Sequence, residues 1–172
     1  MHRLPGNLKP FECSLRYTAV VIAAVWLTPI SITADPAPSS PPDLSQIERD
    51  VEKGIDAHRE STGRPAFRSD ATVAKIARGH SRDMAKGKVG FGHDGLRDRV
   101  EQVQKHYEIA GVAENVSKHQ REEGHAEAAV NRWLESPVHL KNIDGNHDLS
   151  GVGAAMSKDG TVFITQIFVK LR

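Results

Sequence analysis

A single cysteine, Cys13, is all the thiol chemistry this 172-residue chain has. It lies ahead of an apolar run near the start, in a segment expected to be removed. The remainder therefore has no disulfide, no thiol nucleophile and no cysteine-based zinc motif, and Cys-His hydrolase chemistry is excluded. An excess of one charge is missing too: 23 Lys and Arg stand against 22 Asp and Glu. Without a basic stripe, a nucleic-acid partner is not expected. The apolar run "YTAVVIAAVWLTPI" (17–30) is short for a membrane span, which needs about 20 residues. There is no H-E-x-x-H, no G-x-S-x-G and no internal repeat.

What the chain does have begins with a leader. Arg3, Lys9 and Arg16 precede the apolar run, and "SITADPAPSSPP" follows it with small residues around Ala34. This order reads as an export signal over residues 1–34, cleaved after Ala34, with an uncleaved N-terminal anchor as the alternative. Residues 35–43, "DPAPSSPPD", form a Pro/Ser-rich linker. Residues 44–172 are then one folded domain, large enough to bury a core without staples. Removing the leader's three bases and one acid leaves 20 bases against 21 acids, a net charge of −1, and eight of the nine histidines.

Within that domain the hydrophobic period is first helical. Leu44, Ile47, Val51 and Ile55 share one face, and Gly63 with Pro65 ends the helix. A second helix starts after Ser69 or Asp70 as cap, carries Val73, Ile76, Ala77, His80 and Met84 on one face, and closes at Gly87. A third is expected from about Leu96 to Tyr107, and a fourth from about Glu122 to Glu135 with Ala126, Ala129, Val130, Trp133 and Leu134 inward. Ser136 and Pro137 then open a short helix that places His139 in its first turn. The period changes at the end: "LSGVGAAM" (149–156) and "TVFITQIFVK" (161–170) flank "SKDG" as a hairpin. Helices followed by a hairpin predict an α+β domain with an antiparallel sheet.

Most histidines read as structural. His106, His119, His125 and His147 lie in polar surroundings and are expected at the surface, whereas His58 and His80 lie on apolar helix faces as hydrogen-bonded core residues. His93 and His139 differ. "GFGHDG" (90–95) presents His93 in a glycine-rich turn after a helix, and "AENVS" (113–117) embeds Glu114 in a short strand-like run. Two imidazoles and a carboxylate can hold a divalent metal or act as acid and base, although their spacing matches no local zinc motif.

"GIDAHRESTGRP", "DATVAKIARGHSRDMAKG", "FGHDGLRDRV", "GVAENVS", "AVNRWLESPVHLKNI" and "LSGVGAAMSKDGTVFITQIFV" occur in an order and spacing that resembles the CAP superfamily, the cysteine-rich secretory protein, antigen 5 and pathogenesis-related 1 group. The likeness spans about residues 51–169 and is strongest to the disulfide-free bacterial branch called SCP-like extracellular proteins. It implies a three-layer α-β-α sandwich with a central antiparallel sheet, and a cleft shared by His93, Glu114 and His139. In some members of the family such a cleft takes up zinc, which would make His93 and His139 metal ligands and Glu114 a base. Asn115 reads as a backbone-orienting neighbour of that cleft. Glu135 is the nearest counterpart of a second cleft acid, although offset from the family position; Ala113 replaces a common glycine and Leu140 a common arginine. Arg99 and Asn142 match bacterial members and read as structural, and Trp133 as core.

The function these readings imply is a secreted, monomeric binding domain of the cell exterior or envelope. Through the His/Glu cleft it would bind a metal ion, a small ligand such as a lipid, an extracellular protein, or a combination of these, without turnover. Once the signal is cleaved, no membrane span remains. The alternatives are a hydrolase that uses metal-activated water, or Ser117 or Ser136 as nucleophile, and a structural envelope protein. The stretch "SKHQREEGH" (117–125) is expected to be a loop, and it is too polar to read as an apolar lipid cradle.

Overall fold

The computed structural model describes residues 41–120 and 124–172. The expected export signal, the expected linker up to residue 40 and the start expected for the fourth helix at Glu122 lie outside the described residues. The elements run α1 (Leu44–Ser61), β1 (Arg68–Ser69), α2 (Ala71–Ala85), α3 (Leu96–Gln104), β2 (Ile109–Gln120), α4 (His125–Glu135), α5 (Pro137–Ile143), β3 (Leu149–Met156) and β4 (Thr161–Leu171).

Local chemistry sets the helix ends. Asp43 accepts from the Ser45 and Gln46 amides at 2.9 and 3.1 Å, and Asp70 from those of Thr72 and Val73 at 3.0 and 2.9 Å, so two otherwise orphaned donors are satisfied at each start. Ser136 does occupy the N-cap of α5, with Pro137 behind it, but its side chain makes no capping hydrogen bond. α3 ends at Gln104, three residues short of the expected Tyr107, whose hydroxyl instead donates to Asp70 at 2.6 Å.

The sheet has the order β1-β3-β4-β2, with β3–β4 and β4–β2 antiparallel and the two-residue β1 parallel to β3. Strand alternation divides its two faces. Val152, Ala154, Ile164 and Phe168 face α1, α4 and α5, packing with Val51, Ile55, Trp133 and Ile143. Leu149, Ile167 and Val169 face α2 and α3, packing with Val73, Ala77 and Val103. The result is the expected α+β, three-layer α-β-α sandwich.

The α2 layer sits directly on backbone. A Cβ on Gly151 would lie 2.2 Å from the Ala74 nitrogen, and one on Gly153 would lie 2.0 Å from the Arg78 nitrogen. Only glycine permits that approach. On the other side, Trp133 is fully buried and its indole N–H donates to the Val116 carbonyl at 3.1 Å, fastening α4 to β2.

Two expectations about β2 need correction. The run containing Glu114 is a 12-residue strand rather than a short one, and residues 117–120 belong to it rather than to a polar loop. His119, expected at the surface, is 2% exposed because it lies under α4 and bonds to Ser117. His125 and His147 are likewise partly buried, the latter within ring contact of Phe67 and Phe168, while His106 is exposed as expected.

Candidate functional site

β2 is an edge strand, and Glu114 lies on its α2/α3 face beside Ile167 of β4. Glu114 is 5% exposed, so its charge must be met by partners. Arg99, itself 6% exposed in the first turn of α3, supplies them: Nε donates to Oε2 at 2.6 Å and Nη2 to Oε1 at 2.7 Å. This is a bidentate, charge-assisted pair in a desolvated place. Arg99 also donates to the Asp94 and His93 carbonyls at 2.8 and 3.3 Å, so one guanidinium holds both the strand carboxylate and the loop above it.

That loop carries His93, whose Nδ1 lies 2.9 Å from Glu114 Oε1. A carboxylate acceptor places the proton on Nδ1 and leaves a lone pair on Nε2 of a half-exposed ring. His80 on α2 pins the loop from beneath by donating Nε2–H to the Gly92 carbonyl at 2.8 Å. Burial, with the Arg99 charge adding to it, lowers the His80 pKa and keeps that ring neutral.

From the opposite layer α5 brings His139. Asn115 donates to the His139 carbonyl at 3.2 Å, and Asn142 donates to Asn115 Oδ1 at 2.8 Å and to the Glu114 carbonyl at 3.3 Å, locking α5 against β2. The His139 Nδ1 is buried without a hydrogen-bond partner, and the ring's pKa lies below the ordinary value through burial first and the nearby His93 second. A groove of about 610 Å³ between α2 and α3, lined in part by His80, Asp94 and Arg99, opens beside this cluster.

Of the residues singled out from sequence, His93 and Glu114 are in direct contact, Asn115 braces the backbone, and the electrostatic influence of His93 reaches His139. Glu135 is exposed at the end of α4 and forms no ion pair with either histidine among the described residues. Arg99, expected as a structural residue projecting from the third helix, is one: it joins Glu114 and the His93 loop in a single hydrogen-bonded network. Glu114 is poorly placed as a base because Arg99 and His93 already engage both its oxygens. Ser117 bonds to His119 Nε2, but both are 2% exposed and lie on the other sheet face, out of reach of a substrate.

For a metal ion the available donors are His93 Nε2 and His139, with Glu114 bracing the first ring as carboxylates do behind metal-bound histidines. No group of three His, Cys, Asp or Glu able to hold a metal occurs among the described residues. Two imidazoles are fewer ligands than a closed structural centre needs.

The mixed α-β-α architecture is that of a solved SCP-domain protein. Residues 53–168 match the sequence model of the cysteine-rich secretory protein family, CAP, and the chain belongs to that family. It is 30% identical over 137 residues to the uncharacterized protein YkwD of Bacillus subtilis, covering 77% of this chain and 51% of that protein. An extracellular protein containing an SCP domain from Bacillus anthracis is 26% identical with TM-score 0.57, covering 77% of this chain and 45% of the other. The chain thus spans about half the length of these two relatives. NaASP2, solved with Zn²⁺, shares the fold at 14% identity and TM-score 0.51, over 75% of this chain and 83% of that one. No helix among the described residues is long and apolar enough to cross a membrane.

Proposed function

We propose that this is an exported binding domain whose cleft takes a divalent transition-metal ion on His93 and His139, and through it a small ligand or partner, without turnover. The observation that carries this reading is the Arg99–Glu114–His93 chain, which spends the carboxylate on orienting an imidazole and leaves Nε2 as a donor. The neutral, partnerless Nδ1 of His139 supports it, since a buried ring nitrogen without a partner has a lone pair or proton to satisfy. Export rests on the leader's composition and on the extracellular relative. Zn²⁺ is the natural first probe because NaASP2 was solved with it.

A hydrolytic role is less well supported. A metal-bound water would need a free base, and the engaged Glu114 does not provide one without breaking the Arg99 pair.

The test is calorimetric zinc titration of the protein beside His93→Ala and His139→Ala. Two imidazoles bind more weakly than the four ligands of a structural site, so moderate affinity is expected, lost in both variants. The lowered His139 pKa keeps that ring available as a donor in mildly acidic solution, and zinc affinity is expected to fall on further acidification. Absence of zinc binding, or binding that survives both substitutions, would overturn the proposal.

A further inference from the structure

On the sheet face opposite Glu114, between α1 and the strands, Glu52, Asp56, Phe67, Ser69, Ser150 and Gln166 line a cavity of about 10 Å³. That is room for one water-sized occupant. Its donors and acceptors do not balance. The Ser69 hydroxyl donates to Glu52 at 2.9 Å, the Phe67 amide to Asp56 at 3.1 Å, and the Gln166 amide to the Ser150 hydroxyl at 2.9 Å. Gln166 is 1% exposed, and its Oε1 has no partner. A buried carbonyl oxygen without a donor costs about 1–3 kcal/mol and calls for an occupant.

The occupant must also answer for charge. Glu52 and Asp56 stand one helical turn apart on α1, repel each other, and have pKa values raised chiefly by burial. Glu48 adds to the field on Glu52, while Asp56 has Glu60 against it and Arg59 for it. Among the described residues no basic side chain forms an ion pair with Glu52 or Asp56; Arg78 is committed to Glu48 at 2.6 Å, and Arg59 donates to the carbonyls of Pro65, Ile143 and Gly145. Glu52 also accepts from the Val152 backbone, yet a water would satisfy Gln166 and bring no positive charge to the two half-buried carboxylates. A small divalent cation satisfies the amide oxygen and neutralises both.

We propose that this cavity is a second ligand site, an oxygen-only site for calcium formed by Glu52, Asp56, the Gln166 amide oxygen and the Ser150 hydroxyl. Carboxylate, amide and hydroxyl oxygens are the donors a hard cation takes, and the absence of imidazole or thiol from the lining argues against zinc there. The site differs in chemistry from the histidine cleft and lies against α1 at β1, β3 and β4, whereas Glu114 of the cleft is on the other face of the edge strand β2. The donors sit on a helix and two paired strands, and the expected affinity is that of extracellular calcium modules, with Kd of about 0.1–1 mM.

The experiment is thermal unfolding of the purified full chain, stripped with chelator, in increasing CaCl₂ and in NaCl of matched ionic strength. The expected result is a saturable rise in Tm with calcium alone; calcium at about 100 times its Kd should multiply the folding constant about 100-fold. Glu52→Gln and Asp56→Asn keep an oxygen for Ser69 and the Phe67 amide, and each should abolish the calcium response while folding normally. His93→Ala should retain it, which separates this site from the cleft. Calcium calorimetry on the unmutated chain gives a second measurement that depends on no variant. A Tm indifferent to calcium, which would mean water alone fills the cavity, or an undiminished response in both variants, would overturn the proposal.

Discussion

Replacing Arg99 with methionine tests the organisation of the cleft most directly. The substitution keeps the apolar packing stem but removes the guanidinium, leaving Glu114 buried with His93 as its remaining side-chain partner. Breaking a buried pair by deleting one member typically costs about 3–5 kcal/mol, because the surviving charge stays desolvated and unpaired. Arg99 also loses its bonds to the Asp94 and His93 carbonyls, which adds to the loss rather than offsetting it. For a domain of this size each kcal/mol lowers Tm by about 3–5 °C, so Arg99→Met should melt roughly 10–20 °C below the parent. The double variant Arg99→Met, Glu114→Met should recover most of that, since an apolar pair of similar volume carries no desolvation penalty. Urea unfolding followed by Trp133 fluorescence measures both, and the cycle gives the coupling. A loss under about 1 kcal/mol in the single variant, or no recovery in the double, would refute the claim that this desolvated pair holds the site together.

Two other outcomes follow from the geometry. Gly153→Ala should destabilise by at least about 3 kcal/mol, because its Cβ would meet the α2 backbone 2.0 Å away, whereas Gly79→Ala, within α2 and with nothing within 4 Å, should stabilise by about 0.5–1 kcal/mol; paired chemical denaturation checks both signs. Acidification should weaken the fold: His80, His139 and His147 all have pKa values lowered by burial, so as pH falls below the ordinary value of about 6.5 the unfolded chain takes up protons first. The full contribution is present above that value and is lost toward the lower folded-state values. Unfolding free energies between pH 7.5 and 5.5 should show the slope, reduced in His147→Phe; a flat profile in the parent would contradict it.

Much of this was legible residue by residue. Asp70 announces a helix start through chemistry confined to the next three residues, and Asp159-Gly160 announces the β3–β4 turn in the same way; Asp43, assigned to the linker, caps α1 by the same chemistry. His93, Glu114 and His139 were singled out by their immediate surroundings and by family resemblance. β2 was harder to read, because its inward positions Asn115, Ser117 and His119 are polar and find partners in α5 or within the strand itself. A polar residue whose partner is fixed by a distant helix or by the strand's own pleat carries no mark of burial in its neighbours, and so His119 reads as a surface residue and residues 117–120 as a loop.

By itself, then, the sequence determined the periodic elements, their caps and turns, and the set of side chains with chemistry to offer, since these depend on contacts within a few positions. Only the tertiary structure decided what those side chains do. Arg99 and Glu114 are 15 residues apart, Arg78 and Glu48 are 30 apart, and the Ser150–Gln166 bond links separate strands. Whether a carboxylate is a free base, a committed ion-pair partner or one wall of an acceptor-rich cavity depends on which distant donor the packed layers bring to it, and at what cost in desolvation.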